Sequence, residues 1–292
     1  MKKEYLFAAV SILCWGTTAS VTKLLLGSME NMQVLTVGFF FAFAFLLILN
    51  LVKGNLRQLK NLKLSDFLFL TGMSLLGIFL YTLFLNIGIA RMQASQAFII
   101  NYLWPMMSVV FACLILKEKL TFRKLIAIFC SFLGVVIVTT NGRLGGFDPT
   151  HITGALFCIL AAVSYGLFTV LNKRSALDKS LCMLIYYGIS FLISAVCMAA
   201  MRLPLQLDLP QTLGLVWLGI GTNAIPYVTW ALALQYGDTA KISNLAYCTP
   251  FLSLLWNFLL LKESLSIWSI LGLLVIVSGI FIQMGGKQKK EL

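Results

Sequence analysis

Ten separate stretches of this chain are predominantly apolar, near residues 5–26, 33–52, 67–89, 94–116, 122–140, 152–172, 181–201, 212–234, 240–261 and 267–285. A helix needs about 20 such residues to cross the hydrocarbon core of a bilayer. Lone apolar runs of that length become helices there, because each backbone polar group in lipid must find its partner within the segment. The segments between them are short and polar, such as Lys53 to Asp66 and Asn141 to His151, and leave no room for a soluble domain. Composition agrees, with 60% hydrophobic and 11% charged residues, against roughly 45–50% and about 25% in soluble domains. That excludes a secreted disulfide scaffold, a disordered chain and a typical cytosolic enzyme; an enzyme embedded in the membrane stays open on composition alone. The first run follows Met1-Lys2-Lys3 as a signal peptide would. It is long and has a counterpart later in the chain, so it reads as a retained spanning helix.

A net charge of +12 raises the question of nucleic acid, but the basic residues sit in short clusters between apolar runs. Nucleic acid is not an expected partner; membrane lipid is. Lys and Arg in short loops set orientation. With the N-terminus inside, 17 of the 22 basic residues fall on the inner side and only Lys23, Arg91, Arg143, Arg202 and Lys262 on the outer. The expected product is a multi-pass protein of the plasma (cytoplasmic) membrane with both termini cytoplasmic. The seven cysteines all lie in apolar runs without metal-ligand spacing, and read as small buried hydrophobes. The single histidine, His151, reads as a loop residue. No metal or cofactor is expected. No GxSxG, HExxH or paired carboxylate supports an enzyme.

The two halves of the chain repeat. Leu116-Lys117-Glu118 recurs as Leu261-Lys262-Glu263, and at the same shift Tyr102 falls on Tyr247, Pro105 on Pro250, Ser108 on Ser253, Leu120 on Leu265 and Gly134 on Gly279. Spans one and six correspond through Trp15-Gly16 and Lys23 on Tyr165-Gly166 and Lys173. The middle helices offer no fixed register. Each half, 1–146 and 147–292, holds five spans, an odd number, so the second half enters the membrane upside down. The expected fold is an all-α polytopic membrane protein: ten transmembrane helices as two inverted five-helix repeats around a central cavity. Inverted repeats are a signature of secondary transporters, whose substrate site lies near the midplane between the repeats.

These motifs together resemble the drug/metabolite transporter superfamily, in its ten-helix form with two EamA-type repeats. The resemblance covers essentially the whole chain. It rests on Trp15-Gly16, on Pro105 followed by Lys117-Glu118 and Leu120, on Pro250 followed by Lys262-Glu263 and Leu265, and on Gly134 and Gly279. The run Asn101-Tyr102-Leu103-Trp104-Pro105 is similar to the aromatic amino-acid exporter branch. The resemblance implies a central cavity and export of small metabolites, often amino acids.

Polar residues within a span usually face a cavity or a neighbouring helix. On the first span Ser11, Trp15, Thr18 and Thr22 form one helical stripe, and on the sixth Tyr165, Thr169 and Asn172 nearly do the same. On the fourth, Asn101, Trp104, Pro105 and Ser108 share a face with Tyr102 at its edge; on the ninth, Asn244, Tyr247, Pro250 and Asn257 align. On the eighth, Asn223, Pro226, Tyr227 and Trp230 do so. Close helix packing through small residues is the competing account of these stripes. Pro105, Pro226 and Pro250 stand mid-span as helix kinks. Each lacks an N–H, which frees the carbonyls of Asn101, Thr222 and Ala246. Water, a side chain or a ligand must serve those carbonyls, and a substrate ammonium is one candidate.

None of the ten acidic residues lies near the middle of a span, and Glu118 and Glu263 sit at membrane edges, each beside a Lys. The expected cavity is aromatic and neutral. Trp15, Thr18, Thr22, Asn101, Tyr102, Trp104, Tyr165, Asn172, Asn223, Tyr227, Trp230, Asn244 and Tyr247 are the candidate substrate-binding residues. Such a site suits a small neutral or zwitterionic solute, above all an amino acid with an apolar or aromatic side chain, exported by alternating access. Lipophilic drugs or nucleoside-type metabolites are the alternative cargo, and a membrane channel a more distant one. Monomer and homodimer both stay open.

Overall fold

The computed structural model describes residues 2–142, 149–172, 177–237, 242 and 245–284. All regular structure among them is helical. The spans are α1 (Lys3–Leu26), α2 (Asn31–Lys53), α3 (Leu64–Arg91), α4 (Ala94–Ile115), α5 (Phe122–Thr140), α6 (Pro149–Leu171), α7 (Lys179–Ala200), α8 (Leu209–Tyr236), α9 (Ala246–Leu261) and α10 (Ile267–Met284). The first eight are long and apolar enough to cross a membrane; α9 and the apolar part of α10 are shorter. His151 stands in the first turn of α6, so it is helical and not in a loop.

Local chemistry explains the ends. Asp208 accepts the N–H of Gln211 at 2.7 Å and starts α8, and Gly54 in the left-handed region stops α2. The repeated Leu-Lys-Glu is a helix stop. Lys117 and Lys262 both take left-handed backbone, at φ 57° and 56°. The next N–H, of Glu118 or Glu263, then reaches back to the carbonyl of Ala112 or Asn257.

Several spans are interrupted, and the interruptions repeat. α3 and α8 each carry a π-turn, at Leu75–Leu80 and Trp217–Thr222. α4 breaks between its helices Ala94–Asn101 and Trp104–Ile115, and α9 begins with a 3-10 turn, Ala246–Cys248, before the helix Thr249–Leu261. Pro105, Pro226 and Pro250 stand in the first turn of the helices that restart there. They are helix starts more than kinks, at a position where a missing N–H costs nothing.

Packing follows a two-fold pattern. α5 lies along α10 and α2 along α7, while α3 pairs with α6 as α8 pairs with α1. Exchanging the halves turns each pairing into itself or its counterpart. The glycine positions show why. A Cβ on Gly166 would lie 2.5 Å from Met107 Cβ, and one on Gly16 would lie 3.2 Å from Leu252 Cβ. Met107 and Leu252 are repeat equivalents, so the Trp-Gly and Tyr-Gly pairs admit α4 and α9 at the same place. On α5 and α10, a Cβ on Gly134 would lie 2.6 Å from the Gly272 carbonyl. Side chains such as Phe129, Leu192 and Val196 point outward and exposed, as a lipid-facing surface requires. Some buried polar groups pair across helices: Ser74 Oγ donates to the Tyr186 carbonyl at 2.7 Å and meets Ser190 Oγ at 2.9 Å, tying α3 to α7.

Candidate functional site

A cavity of about 390 Å³ lies between the two halves, with walls from α1, α2, α3, α4, α6, α7, α8 and α9. Small-molecule sites commonly measure about 300–1,000 Å³. Trp15, Thr18 and Thr22 line it from α1, and Asn101, Tyr102, Trp104 and Pro105 from α4. Tyr165 of α6, Asn223, Tyr227 and Trp230 of α8, and Tyr247 of α9 complete the expected set that the fold brings together. Asn172 is not on this wall; it accepts the Tyr186 hydroxyl at 2.7 Å. Asn244 lies outside the described residues. Pro226 and Pro250 are buried beside the wall and not on it.

The wall also takes in residues beyond the expected set. Tyr81, Thr82 and Asn86 of α3, Phe39 of α2 and Tyr187 of α7 all face the cavity. Thr82 and Asn86 are spaced i, i+4 within an apolar run, the same pattern that singled out α1. Thr222 and Thr249 join them at the π-turn of α8 and the restart of α9.

The aromatic rings form a connected wall. Trp15 meets Tyr227 edge-on at 5.8 Å and Trp230 at 5.5 Å between ring centres. Its repeat equivalent Tyr165 meets Tyr81 at 4.6 Å and Trp104 at 5.2 Å. The Tyr165 and Tyr227 hydroxyls stand 3.3 Å apart, joining α6 to α8. Such pairs are worth about 0.5–1.5 kcal/mol beyond area burial. The Ala246 carbonyl, expected to be free, has protein partners: the Thr249 N–H donates to it, and so does Tyr102 Oη at 3.0 Å, linking the broken regions of α4 and α9.

No Asp, Glu, Lys, Arg or His lines the cavity among the described residues. Lys23 is used elsewhere: its ammonium donates to the carbonyls of Ile89 and Met92, at 2.7 and 2.9 Å, at the end of α3. Lys173 lies outside the described residues. The two repeated glutamates differ. Glu118 pairs with Lys124 at 2.9 Å and not with its neighbour Lys117. Glu263 caps the start of α4, accepting the N–H groups of Ala94 and Ser95 at 2.7 and 3.0 Å and the Ser95 hydroxyl at 2.7 Å.

A neutral aromatic cavity between repeated halves is a transporter's arrangement, and comparison with known proteins decides the family. The family model described as EamA-like transporter family matches residues 2–140 and again 152–284. The chain belongs to the EamA-like transporter family. Among its relatives, an uncharacterized transporter of Clostridium kluyveri is 24% identical over 99% of this chain and 95% of its own length. The aromatic amino acid exporter YddG of Ancylobacter novellus is 26% identical over 61% of this chain and 63% of its own. A crystal structure with 22% identity shares the fold at a TM-score of 0.66, covering 96% of this chain and 95% of that one. This EamA-like protein is therefore a multi-pass membrane protein whose family and relatives are transporters.

Proposed function

We propose that this EamA-like protein is a secondary transporter, and not an enzyme, that exports small neutral or zwitterionic metabolites by alternating access. Its best-suited cargo is an amino acid with an apolar or aromatic side chain. The observation that carries this reading is the uncharged, aromatic and amide-lined cavity between the halves. Its rings offer stacking and cation–π faces, and its amides and hydroxyls offer hydrogen bonds without fixed charge. A monovalent drug cation would lack a buried carboxylate there, and an anion would lack a buried lysine. The relative named as an aromatic amino acid exporter supports the same cargo.

The repeats 1–146 and 147–292 are the two moving halves in this reading. The chain sits in the cytoplasmic membrane with both termini inside, Glu118 internal and Glu263 external. Single cysteines at 118 and 263 labelled from outside whole cells test that topology: only 263 should react. Equal labelling would sink the inverted arrangement.

Counterflow tests the function. Proteoliposomes preloaded with unlabelled L-phenylalanine should take up labelled L-phenylalanine faster than empty ones. No acceleration with L-phenylalanine, leucine or tryptophan would overturn the amino-acid reading. An aromatic neutral cavity also accommodates lipophilic or nucleoside-type solutes, and competition by those compounds in the same assay separates the two cargoes.

A further inference from the structure

The broken regions of α4 and α9 meet at the cavity, and each leaves a buried polar atom without a partner. Asn101 ends the helix Ala94–Asn101, lines the cavity and is 2% exposed. Its Nδ2 donates to the Tyr81 hydroxyl at 3.2 Å, which orients the carboxamide, and Oδ1 has no hydrogen-bond partner. Pro105 has no N–H to offer the Asn101 backbone carbonyl four residues back. Across the break, Thr249 opens the helix Thr249–Leu261, also lines the cavity and is 2% exposed; its Oγ1 has no partner at hydrogen-bonding geometry, with the Tyr102 hydroxyl its polar neighbour. Tyr102, next to Asn101, holds the two regions together through its bond to Ala246.

These two atoms have opposite preferences. Asn101 presents oxygens at a helix C-terminus, which carries a partial negative charge. Thr249 presents a hydroxyl donor at a helix N-terminus, which carries a partial positive charge. An unmet buried polar atom is costly unless something fills the gap. We propose that the cavity binds a zwitterion in one orientation, its ammonium on Asn101 and its carboxylate on the Thr249 hydroxyl. The side chain of the cargo then lies against the rings of Trp15, Tyr165 and Tyr227. This rests on the export reading above and narrows it: both charged groups of the cargo are read, by dipoles and neutral side chains.

The test uses three probes that share one ring and differ in their charged groups: L-phenylalanine, phenethylamine and 3-phenylpropionate. Binding is measured on the purified full-length protein by quenching of tryptophan fluorescence. The wild type should bind L-phenylalanine at least about tenfold more tightly than either one-headed analogue, the worth of one hydrogen bond to a charged group. Asn101→Leu should lower L-phenylalanine affinity to that of 3-phenylpropionate while leaving 3-phenylpropionate unchanged. Thr249→Val should do the same relative to phenethylamine. Where Asn101→Leu fails to fold, Asn101→Asp serves, and should bind phenethylamine more tightly than the wild type. Equal binding of all three probes by the wild type, or equal losses for both analogues in either variant, overturns the orientation and leaves the export reading standing. Binding of none of the three, with no phenylalanine counterflow, overturns both.

Discussion

Trp15 and Tyr165 occupy the same repeat position, and both turn their rings into the cavity. Replacing either by Ala removes stacking and cation–π surface worth about 0.5–2 kcal/mol. Trp15→Ala and Tyr165→Ala should weaken apparent affinity by roughly 2- to 30-fold at normal protein levels. Transport kinetics measured in proteoliposomes decide it; unchanged values in both variants would mean the rings only pack. The residues of α1, α4 and α8 on the wall were legible from polar and aromatic stripes, because those stripes lie within single helical stretches. Asn172 continued such a stripe on α6, yet a partner on α7, Tyr186, takes its carboxamide. Spacing along one helix says which face a residue shares, and cannot say which neighbour claims it. Tyr81 lay hidden for a different reason. It follows the π-turn Leu75–Leu80, where one extra residue per turn rotates the downstream face by about 100°. The stripe on α3 therefore does not run straight through the span.

At the scale of elements, each of the ten apolar runs is a helix in the structure, eight of them long enough to cross a membrane and two shorter among the described residues, because hydropathy and length constrain a lipid-embedded helix more than any local propensity does. Their interruptions were less legible: proline marked the restarts, but the π-turns of α3 and α8 contain no proline at all. The repeated Leu-Lys-Glu motif shows how one sequence feature yields two different stabilities. Glu263 is half-buried and caps α4 with three hydrogen bonds, whereas Glu118 makes an exposed ion pair with Lys124. Loss of a helix cap costs about 0.5–2 kcal/mol; an exposed pair contributes about 0–1 kcal/mol. Glu263→Ala should lower the melting temperature in detergent clearly more than Glu118→Ala, and added salt should shrink only the latter effect. A second cap gives a pH dependence. Burial raises the Asp178 carboxyl, but the Ser180 hydroxyl, the N–H groups of Leu181 and Ser180 and the charge of Lys53 outweigh it and hold it below the usual carboxylate range. A depressed folded value means its stabilisation is complete above the unfolded value, near pH 4, and is lost as pH falls through the folded one. Asp178→Ala should therefore destabilise the protein at neutral pH and flatten its acid limb, read as melting temperature against pH from 7 to 3.

For the whole molecule, the pairings of α3 with α6 and of α8 with α1 make the halves interchangeable partners around one cavity. In the proposed alternating-access cycle, exchange of these pairings would relate the two open states. The remaining question is what drives net movement. A proton-coupled carrier generally keeps a carboxylate or histidine at membrane depth, and the cavity wall offers neither among the described residues. Glu263 is engaged by the start of α4 and Glu118 by Lys124, both at span ends. Lys23 is held by the carbonyls that close α3. The proposed cycle then has no group to carry a proton on the cavity wall among the described residues, and the proposed zwitterionic cargo would move no net charge through the membrane field. The expected behaviour is facilitated diffusion, in which a high cytoplasmic concentration of cargo drives export. The check is flux in proteoliposomes with labelled L-phenylalanine equal on both sides, under an imposed pH step and, separately, a potassium diffusion potential. Exchange should continue while net accumulation stays at zero in both cases. Accumulation under the pH step would refute the facilitator, and Glu263→Gln would then show whether breaking the α4 cap by protonation is the coupling event.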